Sequence, residues 1–226
     1  MSILAWIFLG VAILIALWIV IFWLIGRQAY SDGAGRFSAM IPPLDLTPFG
    51  TLKWTKFQHW EGRACLPAWA GFRRPSGAYG SLDTRSPSDG SVTIYVTPPS
   101  SKGDRNPSDA QRKAFQFQID HDTEVVNAVL NALLKYYRDL REDWGTDAKD
   151  LPDVAEAQEF RRMIGLHQIH VHPYLKEGMA YVGLEFGCHW DPEHGFGVML
   201  HGSRVVDIGS ADSSFAWQPD ESKNEV

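Results

Sequence analysis

Tyr181–Ile208, YVGLEFGCHWDPEHGFGVMLHGSRVVDI, is the stretch whose reading decides the fold. Its apolar-rich runs are separated by short polar breaks, the pattern of an antiparallel meander. Along a strand, alternate residues face opposite sides. Val182, Leu184, Phe186, Cys188 and Trp190 therefore share one side, which reads as the core face. Tyr181, Gly183, Glu185, Gly187 and His189 share the other. Glycines flanking a carboxylate are unusual, because glycine weakens a strand interior and marks a bulge or a close backbone approach. Asp191-Pro192-Glu193-His194-Gly195 forms the first break: Asp bonds nearby amides, Pro presets φ and Gly permits positive φ. Phe196, Val198 and Leu200 face inward on the next run, and Gly202-Ser203 fits a two-residue hairpin turn. Arg204–Ile208 closes the meander, with Val206 and Ile208 expected on one side and Val205 and Asp207 on the other.

Working outward, Leu166–Tyr174 reads as a fourth strand, joined through the turn-like Lys176-Glu177-Gly178. Ser91–Thr97 (SVTIYVT) is a β-branched strand. Shorter extended runs cover Leu52–Trp60 and Arg63–Trp69, with Trp54, Phe57, Trp60 and Trp69 as packing residues, and 71–90 is a loop or long hairpin. Asn106-Pro107 opens a helix over Ser108–Ile119, with Asn as N-cap and Pro in the first turn. Val126, Val129, Leu130, Leu133, Leu134 and Tyr137 recur at helical spacing. A shorter helix is expected from Leu151 to Ile164. Strands, then helices, then strands give an α+β fold: an antiparallel meander sheet with helices packed on one face.

The N-terminal run differs in kind. No charged side chain lies between Met1 and Arg27. At about 1.5 Å per residue such a helix crosses a hydrocarbon core of about 30 Å. A cleaved signal peptide would need a basic start and a shorter apolar run. The expected organisation is a transmembrane anchor over 1–26, touching the bilayer through residues 3–25. A Gly- and Pro-rich linker over 27–49, a soluble α+β domain over 50–217 and a disordered tail over 218–226 follow. Arg27 and Arg36 flank the anchor on its C-terminal side, which places the domain in the cytoplasm.

The formal net charge of −6 provides no electrostatic footprint for nucleic acid. The cysteines, Cys65 and Cys188, are too few for a disulfide framework, and Cys188 reads as a small buried hydrophobe. No phosphate-cradling loop and no nucleophile elbow occurs, so no cofactor is expected. His170 and His172 share a strand face, and with Glu185 and His189 they are the candidate ligands for zinc or iron. Their spacing matches no recognised metal motif. Asp191, Glu193 and His194 share a turn, where an acid–base role competes with simple bonding within the turn.

Glu185, Phe186, Cys188, Trp190, Asp191, Glu193, His194 and Gly195 form an E-F-x-C-x-W-D-x-E-H-G block. This block resembles that of a bacterial domain family of unknown function. Pro107-Ser108-Asp109-Ala110-Gln111, the Val125–Tyr137 helix and Trp60-Glu61-Gly62 with Leu66-Pro67 are similar too, so the resemblance covers most of residues 50–215. Such domains look like the immunity-like modules of bacterial toxin systems in size and layout. The resemblance implies a bacterial domain that binds a protein partner through a sheet face or turn; the membrane helix lies outside it and, added to it, makes a single-pass protein of a bacterial inner membrane. Glu185, His189, Trp190, Asp191, Glu193 and His194 are the candidate contacts, and no catalytic residue carries over. The alternative is a metal-dependent enzyme built on the His/Glu cluster.

Overall fold

The structure is a computed structural model that describes residues 41–76, 81–99, 104–144 and 151–216. The apolar run over 1–26 and the tail over 218–226 lie outside the described residues. Among the described residues, no helix is long and apolar enough to cross a membrane.

Alternating apolar residues build one sheet whose strands stand in chain order: β1 (Leu44–Leu46), β2 (Gly50–Trp54), β3 (Trp60–Pro75), β4 (Leu82–Val96), β5 (Ile164–Lys176), β6 (Met179–Cys188), β7 (Phe196–His201) and β8 (Arg204–Ser210). The meander is present as expected: β6 pairs antiparallel with β7, and β7 with β8. The positive φ of Gly202 (66°) serves the β7–β8 turn, and Glu177 and Gly178 (52° and 77°) together serve the β5–β6 turn. Residues 71–75 and 82–90 belong to the paired strands β3 and β4, the arms of the expected long hairpin.

One pairing corrects the expected antiparallel sheet. β4 and β5 run parallel, with Tyr95 opposite His170 and Ile94 opposite Ile169. A parallel pair needs a long crossover, and here it contains the helices α1 (Asp109–Asp120) and α2 (Asp122–Trp144). Their buried stripes, Ala114 and Phe115 on α1 and Val126, Val129, Leu130, Leu133 and Tyr137 on α2, share one core with Ile94, Ile169, Leu184, Phe186 and Val198. The expected inward faces of β6 and β7 are thus the buried ones.

The N-cap of α1 is Ser108, not Asn106. Ser108 Oγ accepts from Gln111 N, and Gln111 Oε1 accepts from Ser108 N at 2.9 Å, a reciprocal capping box. The Gln111 amide is buried and also donates to Thr97 O (2.7 Å) and Val171 O (3.3 Å). The helix start is thereby bonded to the ends of the parallel pair.

Three further expectations change. The helix expected over Leu151–Ile164 is a short 3-10 segment, Ala157–Arg162, preceded by non-helical chain. That chain is held by side chains of α2: Tyr137 Oη donates to Pro152 O and Arg141 Nε to Leu151 O. Residues 41–49, read as linker, supply β1 and the buried Phe49, whose ring stacks on Phe115 at 5.0 Å. On β8, an irregularity after the Met199–Asp207 pair separates Val206 from Ile208. Val206 packs with Tyr181 and Met199 on the second face, while Val205 and Ile208 pack on the main core.

The second face is partly roofed by a C-terminal turn of helix, α3 (Asp212–Phe215). Its backbone lies directly on glycines of the meander. A Cβ on Gly183 would sit 1.8 Å from Ser214 O, and one on Gly197 would sit 2.7 Å from both Ala211 O and Ser214 N. Gly183, beside Glu185 on β6, is therefore a close-approach position, as its place in a strand suggests, and Gly197, opposite Glu185 on β7, is another.

Candidate functional site

The roof covers β6–β8 and reaches β5 at His172, leaving the second face open from β3 to the outer side of β5. Alternation directs Glu61 of β3, Tyr95 of β4 and His170 of β5 to this open side, because their strand neighbours Trp60, Ile94 and Ile169 are buried in the core. These side chains line a cleft of about 540 Å³, bounded by Phe57 in the β2–β3 turn and Phe215 on α3. Both bounding rings are large and exposed, Phe57 at 72% and Phe215 at 45%; Phe57, expected to pack in the core, instead projects from the β2–β3 turn.

Glu185 lies beside this cleft, with its carboxylate tied into the sheet. A register shift between Leu166 and Gln168 turns both His167 and Gln168 toward it. Gln168 Nε2 donates to Glu185 Oε2 at 2.8 Å, His170 Nε2 lies 3.0 Å from the same oxygen, and His167 Nδ1 lies 3.4 Å from Oε1. Burial opposes ionisation, but the bonds from His167, His170 and Gln168 outweigh it and hold the Glu185 carboxyl down at about 2.

His172 is used differently. It is buried, and its Nε2 donates to Ser214 O at 2.8 Å, fastening α3 to β5. Burial is the main reason its pKa is lowered to about 4. An unfolded histidine takes its proton near 6.5. Between these values the unfolded chain binds the extra proton, so stability rises with pH across the window and is lost as pH falls from about 6.5 to about 4. His59 is also lowered to about 4, by burial and by the nearby His170, and acts in the same direction. Thermal melts from pH 7 to pH 4 are expected to show a loss on the order of 2 kcal/mol from His172. His172→Gln should flatten that part of the profile; an unchanged profile would contradict the assignment.

The four metal-ligand candidates do not assemble. His170 reaches Glu185, but His172 is committed to Ser214 O, and His189 is exposed beyond the end of β6. Among the described residues, no group of three His, Cys, Asp or Glu side chains could hold a metal ion.

The binding candidates fall into separate places. Trp190 is core, with its ring 5.0 Å from Tyr137 and 5.5 Å from Phe196. Asp191 Oδ1 accepts from His194 N at 3.1 Å and lies 3.0 Å from His194 Nδ1, so this pair bonds its own turn, and Glu193 is exposed beside it. Cys188 is buried, and burial pushes its thiol up to about 12, which removes it as a nucleophile at neutral pH. Of that set, only Glu185 adjoins the cleft. His59, Glu61, Tyr95 and Phe215 were not anticipated. The outward alternation of Ser91–Thr97 was the available signal for Tyr95.

A family described as a domain of unknown function (DUF6985) matches residues 87–215, more than half of the chain. The chain belongs to that family. No curated protein and no solved structure matches it. The DUF6985 region starts within β4 and ends at Phe215, so it contains the helical crossover, the meander and the α3 roof. It supplies Tyr95, His170, Glu185 and Phe215, whereas Phe57, His59 and Glu61 lie before it.

Proposed function

We propose that this DUF6985 chain is a non-enzymatic, membrane-anchored module that binds a protein partner with the open half of its second sheet face, in the manner of an immunity protein. The observation that carries this reading is the cleft bounded by exposed Phe57 and Phe215 on an otherwise polar sheet face. Aromatic rings are effective interface anchors, since they offer a large contact area and lose little conformational freedom on binding. Glu185, the carboxylate tied into the sheet beside the cleft, is engaged with Gln168 and His170. The uncharged run over 1–26 supports the tether, and its resemblance-based bacterial inner-membrane setting belongs to the same proposal. A net charge of −6 suits a basic partner, whose approach it would steer.

The test is affinity purification of the full chain from its native membrane in mild detergent and moderate salt. A partner should co-purify with the wild type. It should be lost with Tyr95→Ala and retained with Trp144→Ala, which alters an exposed ring on α2 across the sheet. A melting curve for each variant checks folding. If no partner is retained, or if both variants retain it equally, the reading is wrong.

A further inference from the structure

Within the cleft, Glu61 stands apart from the other acids. It is exposed at the base of β3, directly opposite Tyr95 in the pairing, and makes no hydrogen bond or ion pair among the described residues. Glu185, by contrast, is fully engaged.

Around Glu61 the rings form an unbroken row. Phe57 and His59 lie 6.1 Å apart, His59 and Tyr95 4.6 Å, Tyr95 and His170 5.6 Å, and His170 and Phe215 5.5 Å. The faces of aromatic rings carry negative potential, which attracts a cation placed over them. The carboxylates of Glu61 and Glu185 add to this potential, while Lys53, opposite Glu61 on β2, forms no ion pair with it among the described residues. After burial, the charges of Glu61 and Glu185 are what raise the Tyr95 hydroxyl pKa. The lone lysine lining the cleft, Lys56, is exposed, with its ammonium 5.1 Å over the Phe57 ring at the rim. One ring of the row therefore already holds a cation of the chain itself, on an arm free to swing into solvent.

We infer that this cleft receives an arginine side chain of the protein partner, with its guanidinium stacked on the Tyr95 ring and paired with the Glu61 carboxylate. Planarity selects arginine over lysine, because a flat guanidinium can lie on a ring and fork a carboxylate at once. The inference rests on the reading of this face as a binding surface and specifies the chemistry that the surface selects.

The probe is a capped tripeptide, acetyl-Gly-Arg-Gly-amide, titrated against the full chain in detergent and followed by ligand-observed NMR. Its counterpart carries citrulline, which keeps the shape and removes the charge. The arginine peptide should bind with a dissociation constant on the order of 1 mM, as fits a single buried side chain. The citrulline peptide should bind about tenfold more weakly, as should the arginine peptide to Glu61→Gln. Because Glu61 is exposed and unpartnered, that variant should melt with the wild type. Equal binding of the two peptides, no binding of the arginine peptide, or undiminished binding by Glu61→Gln would each overturn the inference. If the peptides fail while a Tyr95-dependent partner is still retained, only the arginine assignment falls and the binding surface stands.

Discussion

Replacing Gly183 by alanine is expected to lower stability by about 3 kcal/mol, because the new methyl group would enter the space of the α3 backbone. The added Cβ would lie 1.8 Å from Ser214 O and 2.6 Å from Ser214 C, and a backbone segment cannot yield there as a flexible side chain could. Undocking α3 would also break the His172–Ser214 bond and free Phe215 from the cleft rim. For a domain of this size the melting temperature should fall by about 9 °C. A chain truncated after Ala211 should lose a similar amount, and adding Gly183→Ala to that truncation should cost almost nothing more, since both remove the same contact. Gly178→Ala is the contrast. That glycine has open space around it but a φ of 77°, so alanine there should cost only about 1 kcal/mol. A Gly183→Ala protein that melts with the wild type would show that α3 does not pack as described.

The second large effect is at Trp190. Its indole meets Tyr137 and Phe160 edge-on and lies tilted against Phe196, so it joins α2, the 3-10 segment and β7 at one point. Trp190→Ala should cost about 4 kcal/mol, as expected for emptying a large buried aromatic site. Glu193→Ala, three residues on and exposed, should change stability by less than about 0.5 kcal/mol. Chemical denaturation of the two variants separates a packing role for Trp190 from a contact role. A Trp190→Ala protein of normal stability that loses a partner would return this residue to the interface.

The meander could be read from sequence because one of its faces is uniformly buried. Val182, Leu184, Phe186 and Cys188 repeat with the strand period, and a slip of one residue would expose them all. The α2 stripe was legible for the analogous helical reason. The parallel β4–β5 pairing was not, because no turn fixes a register across a helical crossover. Without that pairing, nothing in the sequence places Tyr95 beside His170, and so the cleft could not be assembled. The roof was hidden for a different cause. Residues 211–216, ADSSFA, carry no apolar period, and they dock through backbone atoms on glycine and one bond from His172. Gly183 announced a close approach without naming what approaches. Trp190 was misplaced among the contacts because its neighbours Asp191 and Glu193 are polar, although its parity already put it with the core residues.

The sequential order of strands bears on how the chain reaches this state. Six of the seven strand pairings join chain neighbours across a short connection and can form before any distant segment is found, leaving β4 and β5 as the union that closes a long loop. The first four strands and the last four are thus separate nucleation regions. The Gln111 amide, bonded to the ends of both β4 and β5, is made only when those regions meet, which makes it a reporter of the late joining step in the kinetics of assembly.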